Sequence, residues 1–476
     1  MSFLTTIKCK SPRKIIVFKG AHNLKEKMSG IAGINKPNKS QLVKKILKKI
    51  SHRGKEGVEI IESISATFGI VMNSTDRSRK EIFHQELFVK DGNGDGRLAK
   101  ASLDENGLLL IRDELGVAPL YYGFTEDESF CFASEVKALK DFVGNVYEFP
   151  PGRIFSNNSF NKYFELKSGS QLNKNETEIA SELNSLLDEA IGKRIKDKVT
   201  GSWLSGGLDS SSISSIARKH VDTLHTFAIG LEGSLDLEYA KVTAEFIKSQ
   251  HHEIKVTVED LIKLLPDVIY HLESFDALLV RSSLTNFIVG KVSSDYADVV
   301  FSGEGGDELF AGYEYLKSLD VSNLQDELIV ITNRLHNTAL QRVDRCSSAH
   351  GITAHVPFTD PIVFNYAFQI PTELKLKNKT EKWILRKAMR DSLPEKILAR
   401  TKSKFWEGAG VNELISDYAK EKITDDDFKR EKILLNEWEL NSKEELMYYR
   451  IFSEQFGEFN DLSWMGRTKG APKEDQ

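Results

Sequence analysis

Between an apolar run at 199–204 and a segment able to start a helix at Ser211, the chain places Ser205-Gly206-Gly207-Leu208-Asp209-Ser210-Ser211-Ser212. A strand that turns into a helix through two glycines commits this region to an α/β arrangement. The turn is also committed to a narrow chemistry. Glycine lets the backbone approach an oxyanion closely, while serine hydroxyls and the first N–H groups of a helix donate to it. Asp209 is itself anionic and cannot hold a phosphate, so it is assigned to a magnesium ion bridging phosphate oxygens. A plain strand-to-helix turn requires neither this Asp nor three successive hydroxyls. No GK[ST] follows at the spacing of a Walker A loop, so the string predicts cleavage of ATP between its α and β phosphates.

Strand-like runs near 199–204, 224–230, 252–256 and 298–302 alternate with helix-length amphipathic segments, one carrying Leu261, Leu264, Leu265, Val268 and Ile269. That alternation predicts a parallel sheet with helices on both faces. Ligands of such sheets bind at the carboxyl ends of the strands, where both the Ser205 string and Ser302-Gly303-Glu304-Gly305-Gly306-Asp307-Glu308 begin. A polar linker at 168–175 precedes a helix with Ile179, Leu183, Leu186, Leu187, Ala190 and Ile191 on one face, so a domain boundary is expected between Tyr163 and Glu178. At 476 residues the chain exceeds one ordinary core and suggests two domains plus ends.

Composition excludes several classes. With 40% hydrophobic and 28% charged residues the chain reads as soluble and globular, and a formal net charge of −5 gives no case for nucleic acid as a partner. Cys9, Cys131 and Cys346 are isolated and form no CxxC pair, which suits reduced thiols. No apolar run reaches membrane-span length, and the basic first 27 residues lack a secretory core. The expectation is a cytoplasmic protein. Asp91-Gly92-Asn93-Gly94-Asp95-Gly96 has the acidic spacing of a calcium loop, but Ser102 stands where a bidentate Glu is needed, so a Gly-rich hairpin or surface loop is expected. His251 and His252 are adjacent and point to opposite sides, as on a strand.

The Ser205 string resembles the signature of the asparagine synthetase family and its ATP-pyrophosphatase relatives. His225-Thr226-Phe227-Ala228-Ile229-Gly230-Leu231 resembles the next strand of that fold, whose end lies against adenine. The segments 301–313, His355-Val356-Pro357-Phe358-Thr359-Asp360 and Arg400-Thr401-Lys402 are similar to three later landmarks, in the same order. The resemblance implies nucleotide or pyrophosphate contacts from Leu204, Ser205, Gly206, Gly207, Asp209, Ser210, Ile229, Ser302 and Gly303. It further implies magnesium ligation by Asp209 and Asp307, α-phosphate contact by Lys402, and a general base at Glu304. A Glu at that position marks the amide-forming members, which use external ammonia; the β-lactam-forming relatives carry Tyr. Lys382, within Thr380-Glu381-Lys382, could add a second positive charge beside Lys402, but taken alone it reads as a solvated surface charge. Arg281-Ser282-Ser283 resembles the segment beside the aspartate site, and His355 and Thr359 depart from the usual RVPFLD.

Met28-Ser29-Gly30-Ile31-Ala32-Gly33 resembles the start of the family's glutaminase domain, except that Ser29 replaces the nucleophilic cysteine. That chemistry needs the nucleophile at the chain's first residue, where its α-amine moves the proton. His52-Arg53-Gly54 resembles the element that grips the glutamine carboxylate, whereas clear counterparts of the NGE and GSD elements are missing. Segments 112–122 and 132–139 resemble the second half of the domain and would face the synthetase domain. The expected architecture is therefore an N-terminal extension (1–27), a reduced α+β Ntn-hydrolase-like domain without glutaminase activity (28–170), an α/β synthetase domain (171–465) and a flexible tail (466–476). The implied reaction activates aspartate with ATP and magnesium as an acyl-adenylate and aminates it with ammonia. A separate glutaminase as ammonia donor and a homodimer are compatible with the resemblance. Two alternatives stay open: an amide ligase for another acid or amine, and a non-catalytic ATP-binding subunit.

Overall fold

A computed structural model describes residues 29–54, 56–72, 88–92, 96–104, 107–196, 199–401 and 412–469. The N-terminal part is built from two stacked antiparallel sheets. The first has the order β2 (Gly57–Glu62), β3 (Thr67–Met72), β1 (Gly30–Ile34), β8 (Phe130–Ala133), β7 (Tyr121–Phe124), β9 (Val146–Glu148). The second runs β11 (Ser159–Lys162), β10 (Arg153–Ser156), β6 (Gly107–Arg112), β5 (Leu98–Asp104), β4 (Phe88–Gly92). Their facing sides close one core, in which Ile31, Phe68 and Phe132 meet Ala101, Leu110 and Phe155. This is the αββ layering expected when each sheet buries one alternating face. Helix α1 (Ser40–Lys49) covers the outer face of the first sheet through Val43, Ile46 and Leu47. β4 pairs antiparallel with β5, so the acidic Gly-rich segment lies at a hairpin, although residues 93–95 lie outside the described residues.

After the short helix α2 (Val136–Leu139), strands β9 to β11 and residues 163–175, which carry no regular structure, α3 (Glu176–Gly192) opens the second part with Asn175 as its cap. The Asn175 side chain accepts from the Thr177 and Glu178 backbone N–H groups, and the Glu178 carboxylate reaches back to the Asn175 N–H. This reciprocal cap satisfies first-turn donors that no helical carbonyl reaches. A five-stranded parallel sheet follows, ordered β14 (Gln250–Lys255), β13 (Thr223–Gly230), β12 (Val199–Trp203), β15 (Val299–Phe301), β16 (Thr353–His355). Four of its strands match the apolar runs of the sequence. β16 was not expected, because three residues ending in His carry no usable alternation.

Between the strands run α4 (Leu208–Arg218), α5 (Leu235–Ile247), α6 (Ala277–Ser293), α7 (Gly306–Phe310) and α8 (Ala339–Ser348), and near the C-terminus α9 (Lys443–Phe456). The two parts share apolar surface: Val136, Ala138 and Leu139 of α2 pack in the same cluster as Leu265, Val268, Ile269 and Leu272. No helix among the described residues is long and apolar enough to cross a membrane.

Candidate functional site

β12 and β15 are neighbours in register, Gly201 beside Val300 and Ser202 beside Phe301, so the loops leaving them emerge side by side. The first loop enters α4 with Gly207 as N-cap, and no side chain caps its first turn. Gly206 holds a φ of +69°, and a Cβ there would stand 2.3 Å from the Ala240 nitrogen. A side chain at 206 would push α5 away from the loop. Gly206 therefore serves the close approach of α5, and it does not line the cleft. Ser205 Oγ and Ser210 Oγ lie 3.1 Å apart at the cleft wall. The next two hydroxyls turn away: Ser211 Oγ pairs with Thr243 Oγ1 at 3.0 Å, and Ser212 Oγ donates to the Leu208 carbonyl at 2.7 Å.

The cleft at these strand ends has a volume of about 110 Å³ and is lined by Leu204, Ser205, Gly207, Asp209, Ser210, Ile229, Ser302, Gly303, Glu304 and Asp307 among others. The structure thus collects nearly all the sequence-named residues in one place. Lys402 lies outside the described residues. Its neighbour Arg400 donates through Nη1 to the Ser205 carbonyl at 3.1 Å and pairs with Asp236 at 2.5 Å, which brings this segment to the rim of the cleft.

Lys382 is a correction. It is not a surface charge but is 2% exposed, with Nζ bonded to Asp209 Oδ2 and 2.6 Å from Asp307 Oδ1. Its backbone is left-handed, φ 55°, at the start of the helix Trp383–Ala388, and this aims the side chain back into the cleft. A Cβ at Gly312 would meet Asp307 Oδ1 at 2.0 Å and Lys382 Cε at 2.2 Å, so only glycine leaves room for the pair. A surface reading failed because Thr380-Glu381-Lys382 has no apolar neighbours on its N-terminal side to betray burial.

Glu304 and Asp307 also border a second, larger chamber of about 770 Å³, walled by Leu278, Leu279, Ile331 and Ala339 with Tyr313, Arg334 and Arg342. Arg342 Nη2 donates to Glu304 at 2.5 Å and its Nη1 to Ser282 Oγ at 2.8 Å. Glu308 is fully buried and accepts from the Tyr313 hydroxyl at 2.5 Å; burial first, then the Asp307 charge, pushes its carboxyl up to about 7. Arg281, expected beside the acid-binding site, is turned to the C-terminal layer, where its Nε donates to Glu444 at 2.9 Å. Of that trio, Ser282 reaches the chamber through Arg342, which lines it and donates to the Ser282 hydroxyl. His355 packs against the Phe301 ring at 5.8 Å, and burial, then the charges of Arg194, Arg97 and Lys196, hold its imidazole well below the ordinary range. It therefore brings no positive charge where the resemblance has arginine. Arg342, Glu308 and Tyr313 were not singled out from the sequence. Arg342 lies in Ala339-Leu340-Gln341-Arg342-Val343-Asp344-Arg345, which reads as a solvated face although every residue of α8 is buried.

In the N-terminal part, Ser29 is buried and its carbonyl accepts from Arg53 Nε at 3.1 Å. Arg53 is fully buried and its fork is engaged: Nη1 and Nη2 reach Asp344 Oδ2 and Oδ1 at 2.8 and 3.0 Å, and Nη1 reaches Glu135 Oε1 at 2.9 Å. The remaining histidine candidates are structural. His251 faces Thr226 Oγ1 at 3.0 Å and His252 faces His225 at 2.9 Å from the other side of β14. Among the described residues no cluster of three or more metal-ligating side chains occurs.

A parallel sheet with two acidic motifs at adjoining strand ends, joined to a domain of two antiparallel sheets, places a ligand site at the carboxyl ends of its strands. The family model described as asparagine synthase matches residues 182–328 and 317–461, and that of a glutamine amidotransferase domain matches 46–141. The chain is 34% identical over 404 residues to asparagine synthetase [glutamine-hydrolyzing] 2 of Lotus japonicus, covering 78% of this chain and 68% of that protein. It is 33% identical to asparagine synthetase [glutamine-hydrolyzing] of Sandersonia aurantiaca over 81% of this chain and 78% of that one. The chain belongs to the asparagine synthetase family.

Proposed function

We propose that the protein joins ammonia to the side-chain carboxyl of aspartate at the expense of ATP, through an acyl-adenylate, with AMP and pyrophosphate as products. The observation that carries this reading is that Glu304 and Asp307 line both the cleft and the larger chamber, so an acid seated in the chamber meets the α phosphorus of ATP at their shared wall. The acid's oxygen attacks that phosphorus and pyrophosphate leaves. Negative charge grows on the departing group, and Lys382, Ser205, Ser210 and the first-turn N–H groups of α4 are the donors placed to meet it. Ammonium then enters beside Glu304, which takes its proton as nitrogen attacks the acyl carbon and AMP departs.

Magnesium fits this donor set. Asp209 and Asp307 both reach the single point now held by Lys382 Nζ, and two carboxylates with phosphates and waters suit an ion that keeps much of its hydration. When bound, magnesium would neutralise phosphate charge there.

The glutaminase half is read as inactive. Ser29 stands in the nucleophile's place, and the Arg53 fork that would grip a glutamine carboxylate is engaged by Asp344 and Glu135. Purified protein given aspartate, ATP and magnesium should form asparagine and pyrophosphate with ammonium chloride and not with glutamine. Silence with ammonium would reject the reading. One observation favours an alternative acid: a chamber of about 770 Å³ is within the range of sites for drug-sized ligands and exceeds what aspartate fills. Pyrophosphate release across a panel of bulkier carboxylic acids distinguishes the two.

A further inference from the structure

The N-terminal domain grips one stretch of the synthetase domain, residues 336–348, at both ends. At its start, His336 Nδ1 lies 2.6 Å from Glu148 Oε1, which also accepts from Arg112 at 2.8 Å. Toward its end, Asp344 receives the paired contact from Arg53 and a further bond from Arg97 Nη2 at 2.8 Å. Arg53 also donates to Ser348 Oγ at 3.2 Å. Arg345 Nη1 donates to the Ser134 carbonyl at 3.2 Å and lies 3.2 Å from Glu135 Oε1.

Arg342 stands between the two grips. It lies two residues before Asp344, roughly 200° around the helix, and it reaches the opposite way, to Ser282 and Glu304. Helix α8 therefore shows one side to the N-terminal domain and the other to the chamber. Every residue of it is buried, so it cannot shift without repacking. A buried ion pair of this kind adds little net stability, whereas removal of one partner leaves a charge with no water to receive it. Its effect is to fix a geometry.

We propose that Arg53, with Arg97, is a positioning residue for the amide-forming step: it clamps Asp344, thereby fixes α8, and through Arg342 holds Glu304 at the wall where ammonia attacks. The proposal rests on the reading of Glu304 as the base. It assigns the N-terminal domain a part in synthesis that does not depend on glutamine hydrolysis.

The test uses the full chain with Arg53→Lys, which keeps the charge but cannot make the paired contact, and Asp344→Asn. Two quantities are measured with aspartate, ATP and magnesium: ATP–pyrophosphate exchange without ammonium, which reports adenylation, and the rate of asparagine formation with ammonium. Exchange should stay within about twofold while the rate of asparagine formation falls by about 10- to 100-fold, the loss expected when a reacting group is misplaced by an ångström. A merely structural role lowers both together, and that result overturns the proposal. An unchanged rate of asparagine formation also overturns it. Should either variant fail to fold, as read by thermal melting, Glu148→Gln at the other grip carries the same measurement. Misfolding of all three assigns the network to stability alone and rejects the proposal. Absence of exchange in the parent protein instead rejects the function on which it rests.

Discussion

Lys382 Nζ stands between two carboxylates, bonded to Asp209 Oδ2 and 2.6 Å from Asp307 Oδ1, although these residues lie 75 or more positions from it in the chain. The lysine compensates charges that would otherwise repel across a buried cleft. In Lys382→Met both the compensation and the donor to pyrophosphate are lost. Pyrophosphate release should fall by about 10²–10³-fold. The variant should also melt lower than the parent without magnesium, because removing one partner of a buried ion pair costs about 3–5 kcal/mol. Magnesium should restore part of that loss, read as a larger rise in melting temperature than the parent shows.

Glu304 and Asp307 both touch the two cavities, but Glu304 is tied to Arg342 at 2.5 Å whereas Asp307 lies 2.6 Å from Lys382 Nζ, and this separates their duties. Glu304→Gln keeps the shape and loses the base. Exchange of pyrophosphate into ATP should persist, while amide formation with ammonium should fall by about 10²–10⁴-fold. Equal loss of both half-reactions would place Glu304 in adenylation instead.

Much of this site was legible in the sequence where chemistry leaves a local mark. The Ser205 string and the Glu304 segment are short, contiguous and sit at strand ends, where ligands of a parallel sheet bind, and it is the family resemblance of both strings that pairs Asp209 with Asp307. Lys382 was misread because its burial is imposed by residues far away in the chain. Arg342 and Asp344 were invisible for a related reason. A helix with charges on two sides looks solvated, and only the packing of two domains reveals that one side meets Arg53 and the other Glu304. Gly206 was read for the right property, backbone access, but the neighbour that needs it is α5. Local propensity reports the loops of such a site; partner choice across domains is a tertiary fact.

Restoring the missing thiol should not restore glutamine hydrolysis. A chain beginning at residue 29 with Ser29→Cys would supply nucleophile and α-amine, yet Arg53 stays bonded to Asp344 and Glu135. A glutamine carboxylate would have to displace a buried, paired carboxylate to reach the guanidinium. Glutamate release from glutamine should remain at the background of the unsubstituted chain. Release well above it would show that the Arg53 network opens readily.

Stability should fall on the acid side of neutrality through histidines that the fold keeps neutral. Burial and nearby cations hold His355 well below its ordinary range, and burial, then the Lys137 charge, takes His271 down to about 3. A depressed native pKa means the unfolded chain binds the proton first. The contribution is therefore complete above about pH 6.5, the unfolded value, and is lost as pH falls below it, by about 1.4 kcal/mol per pH unit for each group. Urea unfolding at pH 7.5, 6.5 and 5.5 should show this decline. His355→Gln, which cannot take the proton, should flatten the slope between the last two points by about one group's share. An unchanged slope would mean that His355 accepts a proton in the native state, and that Arg194, Arg97 and Lys196 do not hold it neutral.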